Sequence, residues 1–301
     1  MNSQASITLI AFSDLHMWRF GWDGDLSPKC LLGLANLALR RARHYPIAAQ
    51  TAMIERIATE QADRILFAGD ITTTSLRAEF EQGQMLLAPL MLRYEGRFHA
   101  IPGNHDRYTP RAAKQHLYER LFLGRDQSYP FTVRIGDHWS LVAIDCSVPR
   151  WLTSRGQIDD ENMGRIGEAL AREQSAGRQV MVMGHYPLVY PKHVFPSWEH
   201  ILPGRDRLRG LLQSHGVKLY LHGHKHLRWL TATGPMIHAN CGSAGFDCHA
   251  RRPGYIRIRL NGPEIASIQA ISMNRSWNPA HPATADSWVT EELAITPARA
   301  S

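Results

Sequence analysis

An α/β layered fold is what the sequence predicts, and three patterns carry the prediction. Short β-rich runs recur, each ending in a polar cluster: ITLIAF before SDLH, RILFA before GD, FHAI before PGNHD, WSLVAI before DCS, QVMVM before GHYP, and KLYL before HGHKH. Between them lie stretches with helical apolar spacing, IAAQTAMIERIATE ahead of the second run and ENMGRIGEALARE ahead of the fifth. Strands alternating with helices imply sheet covered by helix. From about Leu227 the pattern shifts to WLTAT, MIHAN, YIRIRL and IASIQAI, joined by turns without a long helix, and these are expected to complete a second sheet against the first.

Between the first and second runs, DLSPKCLLGLANLALRRARHYP reads as a helix. Ser27 and Pro28 suit the N-cap and first helical position, and Arg40, Arg41 and Arg43 gather where the helix dipole favours cations. The 56 residues from Asp14 to Asp70 exceed one strand-helix-strand step with a single helix, so this helix, at about 24–45, is read as an insertion. Residues 1–275 are expected to form a single domain. The Pro- and Ala-rich stretch 276–301 reads as a C-terminal tail with one short helix around Trp288 to Leu293.

Composition narrows the class. At 44% hydrophobic and 20% charged residues the chain is ordinary globular protein. No run approaches the roughly 20 apolar residues of a spanning helix, and ITLIAF has neither a basic leader nor a cleavage site, so the expectation is a soluble cytoplasmic protein. Four cysteines without metal-type spacing are read as reduced thiols. The net charge of +7 favours an anionic substrate or partner without saying which.

The polar clusters carry the chemistry. Asp14 and His16 stand two apart, so both side chains are expected to leave an extended or slowly turning segment on one side. Gly69-Asp70, Gly103-Asn104-His105-Asp106, Gly184-His185 and Gly223-His224-Lys225-His226 add carboxylate, amide and imidazole groups where glycine lets the chain turn. Each alone is a common turn at a strand end. Together, at the carboxyl ends of strands, where open α/β sheets gather ligands, they have no packing explanation. Crowded imidazoles must be held neutral and pointed one way, and a metal does both.

In order, DxH, GD, GNHD, GH and GHxH resemble the signature of the calcineurin-like metallophosphoesterases, from about Ile7 to His226. The resemblance implies a four-layer αββα sandwich of two mixed β-sheets flanked by helices. It further implies one divalent ion on Asp14, His16, Asp70 and His226 and a second on Asp70, Asn104, His185 and His224, with Asp70 bridging. Mixed nitrogen and oxygen ligands suit Mn, Fe or Zn alike. His105 would assist at the leaving group without binding metal, and Asp106 would orient a neighbour. The implied reaction is hydrolysis of a phosphodiester by a hydroxide bridging the two ions. LVAIDCSVPR and RGQIDDENMGRIGEAL are similar to the cyclic-nucleotide and glycerophosphodiester phosphodiesterase branch. Cys146 stands where a serine or threonine is usual, and Tyr186 where a second histidine is common.

The surroundings leave the substrate open. Trp18, Phe20 and Trp22 alternate around Arg19, which suits either a substrate contact or simple loop packing. The inserted helix could close over a lipid or lie on an anionic membrane surface, although packing on the sheet edge is the commoner role. The arginines of RDRLR and RRPGYIRIR could track a nucleic-acid backbone, although solvated charge is commoner. His222 is read as structural, and His44, His99, His116, His138, His193, His200, His215, His238 and His249 as surface or core residues. The alternatives are a lipid-linked pyrophosphate or DNA-backbone hydrolase with the same metals, or a non-catalytic metal-binding scaffold, disfavoured because every ligand and His105 are present. A small anionic phosphoester is the expected partner, and the sequence gives no oligomeric state.

Overall fold

The structure is a computed structural model and describes residues 6–19, 44–248, 251–278 and 281–299. Nearly all of the expected inserted helix, with Phe20 and Trp22, lies outside the described residues.

The strands are β1 (Ile7–Phe12), β2 (Arg64–Phe67), β3 (Phe98–Ala100), β4 (Phe131–Ile135), β5 (Trp139–Ala143), β6 (Gln179–Met183), β7 (Leu219–His222), β8 (Arg228–Thr233), β9 (Met236–Cys241), β10 (Gly254–Asn261), β11 (Glu264–Met273), β12 (Trp288–Glu292) and β13 (Ile295–Thr296). The helices are α1 (Ile47–Thr59), α2 (Arg77–Arg93), the short α3 (Pro110–Lys114), α4 (Asp160–Ser175) and α5 (Arg205–Ser214). Asp159 caps α4 by accepting from the Asn162 N–H at 2.8 Å. No helix among the described residues is long and apolar enough to cross a membrane.

Two mixed sheets form, with strand orders β12-β11-β10-β1-β2-β3 and β13-β8-β9-β7-β6-β5-β4. Strand periodicity decides which side chains meet. Leu9 and Ala11 of β1 join Met181 and Met183 of β6 and Leu219 and Leu221 of β7 in the core between the sheets. Ile10 and Phe12 face the other way, onto Met53 and Ile57 of α1 and Phe80 and Leu87 of α2. On the far side, Val180 and Val182 of β6 pack on Ile166 and Leu170 of α4 and Leu208 and Leu212 of α5. The result is the four-layer αββα sandwich.

Three expectations are corrected. The strands after Leu227 do not make a second sheet by themselves: β10 pairs with β1, whereas β9 pairs with β7, so each sheet takes two of the four. The stretch expected as a helix at Trp288 to Leu293 is mostly β12, paired antiparallel with β11. Trp, Val and Thr favour strand, and the open edge of β11 offers them partners. β4, whose FTVRI alternates apolar and polar residues, was absent from the predicted strands; it pairs antiparallel with β5.

Candidate metal centre

The carboxyl ends of β1, β2 and β3 in one sheet and of β6 and β7 in the other converge, and the loops leaving them bring the predicted ligands together. Three groups each have ligand atoms within 4.8 Å of one another: Asp14, His16 and His226; His16, Asp70 and His105; and Asp70, His185 and His224. Asp70 belongs to two of them. Its Oδ2 lies 3.3 Å from His185 Nε2 and 3.6 Å from His16 Nε2. Asn104 joins the second side, with Oδ1 at 3.2 Å from His185 Nε2 and 2.8 Å from His224 Nδ1.

The backbone is bent to achieve this. Asp14, His16, Asp70, His224 and His226 have φ of 56°, 53°, 62°, 73° and 53°, in the left-handed region that residues with a Cβ avoid. The pairs 14/16 and 224/226 therefore reach one side by coiling. The Asp14 N–H donates to Gly69 O at 2.9 Å and the His16 N–H to Asp70 O at 3.0 Å, so the first two loops run together beyond the sheet. The approach is too close for side chains at two glycines. A Cβ on Gly103 would lie 2.1 Å from Asp70 Oδ1, and one on Gly223 would lie 2.4 Å from Asp14 Oδ2.

Each imidazole is oriented by its outer nitrogen. His16 Nδ1 donates to Thr72 O (3.1 Å), His185 Nδ1 to Ala68 O (2.8 Å) and His224 Nε2 to His200 O (2.9 Å). In the neutral rings the inner nitrogens then carry lone pairs. Those lone pairs face other acceptors: His16 Nε2 lies 3.6 Å from both Asp14 Oδ1 and Asp70 Oδ2, His185 Nε2 faces Asn104 Oδ1 and Asp70 Oδ2, and His224 Nδ1 faces Asn104 Oδ1. Acceptors facing acceptors at this range need a cation between them, so the donor set fits divalent metal ions.

Without metal, protons must serve instead. Burial opposes charging His185, but the Asp70 carboxylate outweighs it and lifts the imidazole to about 9. Burial disfavours ionising Asp14, yet His226 and His16 hold it well below the usual carboxylate range. Burial, then the nearby His185, push His224 well below the usual imidazole range, and burial lowers His16.

His105 stands beside this centre. Its ring meets His16 edge-on with centroids 4.7 Å apart and lies flat over Tyr108 at 5.5 Å. Nδ1 donates to Thr73 O at 2.6 Å. Asp106 points away from the centre and collects backbone N–H groups from Asp70 (2.8 Å), Thr72 (2.9 Å) and Gly103 (2.9 Å), tying two loops together. Burial and then the Asp70 charge raise its carboxyl to about 7. His222 lies on the outer face of β7, where Nδ1 accepts from Asn240 Nδ2 at 3.1 Å and burial lowers it to about 3, a neutral structural residue.

Several contributors escaped the sequence. Arg107, directly after GNHD, is bonded to both oxygens of Glu119 and to Asp145 Oδ2 (3.1 Å), anchoring the loop of His105. The buried Glu79 accepts from the Thr74 N–H (2.8 Å) and the Leu76 N–H (3.2 Å), shaping the loop whose Thr72 and Thr73 carbonyls orient His16 and His105. Tyr45 OH lies 3.1 Å from His226 Nδ1. His200, read as an ordinary surface or core residue, lines the cleft over the centre, which its carbonyl also helps to order. That cleft, about 400 Å³, is bordered by Tyr108, Trp151, Leu152, Lys225 and Arg251.

Solved structures with this fold include a dimetal phosphatase from Danio rerio at TM-score 0.57 and 13% identity, covering 88% of this chain and 94% of that one. GAP50, the anchor in the inner membrane complex of Plasmodium, matches at TM-score 0.54 and 13% identity, over 97% of this chain and 89% of that one. A putative 5'-nucleotidase from Staphylococcus aureus matches at TM-score 0.51 and 13% identity, over 94% of this chain and 57% of that one. At such identities the likeness establishes the fold alone. No curated protein matches the sequence. Residues 7–228 match the family described as calcineurin-like phosphoesterase, most of the chain and every one of the converging loops. The chain is a member of the calcineurin-like phosphoesterases, built for metal-dependent hydrolysis of phosphoesters.

Proposed function

We propose that this protein hydrolyses phosphodiesters with two divalent cations, Mn, Fe or Zn, one held by Asp14, His16, Asp70 and His226 and the other by Asp70, Asn104, His185 and His224. The observation that carries the reading is the double approach to Asp70 Oδ2, from His185 Nε2 at 3.3 Å and His16 Nε2 at 3.6 Å, which makes this carboxylate the natural bridge. When bound, two such ions neutralise charge on phosphoryl oxygens and lower the pKa of water.

The chain's own residues supply the rest. The His105 N–H donates to Asp70 Oδ1 at 2.7 Å and so fixes the bridging carboxylate in rotation. Nδ1 donates to Thr73 O, and on this reading Nε2 faces the leaving oxygen, where the imidazolium form delivers a proton. Stacking on Tyr108 holds the ring plane. A phosphodiester needs such a donor more than an activated monoester does, because its alkoxide leaving group is a poor one. A cytoplasmic setting belongs to the same proposal and is supported by the buried free thiols Cys146 and Cys241.

A second reading, an amphiphilic or lipid-linked phosphoester, draws on the cleft lip, where Trp151 is 63% and Leu152 is 89% exposed. Among the described residues nothing comparable favours nucleic acid. The test is hydrolysis of bis(p-nitrophenyl) phosphate beside p-nitrophenyl phosphate, with Mn²⁺, Zn²⁺ or Fe²⁺ restored singly to chelator-stripped protein. Metal-restored turnover favouring the diester is expected. Preference for the monoester would replace the diesterase reading with a phosphatase, and silence with metal bound would shift weight to the amphiphile or to a scaffold.

A further inference from the structure

We infer that Lys225 and Arg251 form an anion-binding position beside the metal centre, so that the substrate carries a second anionic group, carboxylate or phosphate, within a few bonds of the phosphorus attacked. The inference rests on the phosphoester-hydrolase reading and narrows its substrate.

Lys225 and Arg251 are the cationic side chains among the described residues lining the cleft, and both are partly buried. The sole lining carboxylate is Asp70, which is turned to His16 and His185. Lys225 sits between His224 and His226, about 3.8 Å of backbone from each, and its N–H is pinned to Gly223 O at 2.9 Å. Arg251 is placed from the other side. Its guanidinium lies over the Phe246 ring at 5.9 Å, and Phe246 packs on His226 with centroids 5.3 Å apart. Backbone bonds to Cys248, at 2.9 and 3.0 Å, fix the main chain of Arg251.

The adjacent Arg252 pairs with Asp247 at 2.7 Å, yet among the described residues neither Lys225 nor Arg251 has an ion-pair partner. Two like charges held partly out of water in one cleft are unfavourable until an anion joins them. The phosphoryl group belongs to the metal side, so the anion here is a different part of the same molecule.

The test uses manganese-loaded protein and two non-hydrolysable probes, 3-phosphonopropionate and propylphosphonate, compared by isothermal titration calorimetry. Both present a phosphonate to the metals, and only the first has a second anion. The wild type should bind 3-phosphonopropionate about 10–100-fold more tightly, the range of a charge-assisted hydrogen bond or two. In Lys225→Met/Arg251→Gln the ratio should fall to about onefold, with the charge-retaining Lys225→Arg/Arg251→Lys keeping most of it. Manganese content and circular dichroism establish that each variant is folded, and the single variants report if the double one is not. No preference in the wild type, or an undiminished preference in the charge-removing variants, overturns the proposal. Binding of neither probe overturns the phosphoester reading itself and this inference with it.

Discussion

The backbone N–H of His105 donates to Asp70 Oδ1 at 2.7 Å, while Asp70 Oδ2 faces His16 and His185. One carboxylate is thus divided between two tasks. One oxygen is spent on fixing the loop that presents the His105 imidazole, and the other is left for the centre of the site. Because the contact comes from the backbone, the position of Asp70 does not depend on the His105 side chain, and metal retention and proton delivery become separable by mutation.

His105→Ala should therefore keep its metal and lose turnover by about 10²–10⁴-fold on a diester with a poor leaving group, the range for removing a general acid. Loss on bis(p-nitrophenyl) phosphate should be smaller, because p-nitrophenolate leaves without help. Metal analysis with kcat on both esters checks this, and an unchanged rate on the poor leaving group would remove His105 from the chemistry.

Asp70→Ala should release both metals or bind them loosely, and Asp70→Asn, which keeps the shape and the Oδ1 acceptor but loses the charge, should also fall well short of the wild type. Metal stoichiometry after gel filtration measures the difference. Two tightly held ions per chain in Asp70→Ala would exclude a bridging role.

Arg107→Met should cost about 3–5 kcal/mol of stability, because Glu119 and Asp145 would be left buried with no cation. Urea unfolding at pH 7 reads this as a lower midpoint. A change below 1 kcal/mol would mean that the ion pair contributes little to anchoring the loop.

Burial raises the Glu79 carboxyl from 4.5 to about 7, although the N–H groups of Thr74 and Leu76 oppose the shift. A carboxyl whose folded value exceeds its unfolded value binds its proton more tightly in the folded state. Its stabilisation is fully present below about pH 4.5 and is lost as pH rises through about 7. Glu79→Gln should accordingly flatten the decline of stability across that window, by at most about 3 kcal/mol at 1.36 kcal/mol per pH unit. Chemical unfolding of wild type and variant at pH 5, 6 and 7 compares the slopes, and parallel curves would contradict the assignment.

The convergence of these loops was legible because Asp14, His16, Asp70, Asn104, His185, His224 and His226 are residue types that a strand end does not bury without a purpose. The division of the strands between two sheets was less so. In β1, Leu9 and Ala11 face the other sheet while Ile10 and Phe12 face helices, so both sides read as apolar and neither announces its neighbour. β12 was misread because Trp288–Glu292 ends in glutamates that suit a helix, and only the open edge of β11 decides otherwise. Arg107, Glu119 and Asp145 meet across 12 and 38 residues of chain, a pairing that no local spacing encodes. The left-handed turns at His224 and His226 were hidden for a related reason, since side-chain chemistry predicts a ligand but not the backbone strain needed to aim it.

The most direct test of the central claim is anomalous diffraction from crystals of the manganese-loaded protein. Two peaks about 3.5–4 Å apart are predicted, with Asp70 Oδ2 between them, Asp14, His16 and His226 around one and Asn104, His185 and His224 around the other. A single peak, or two peaks that do not share Asp70, would contradict the account.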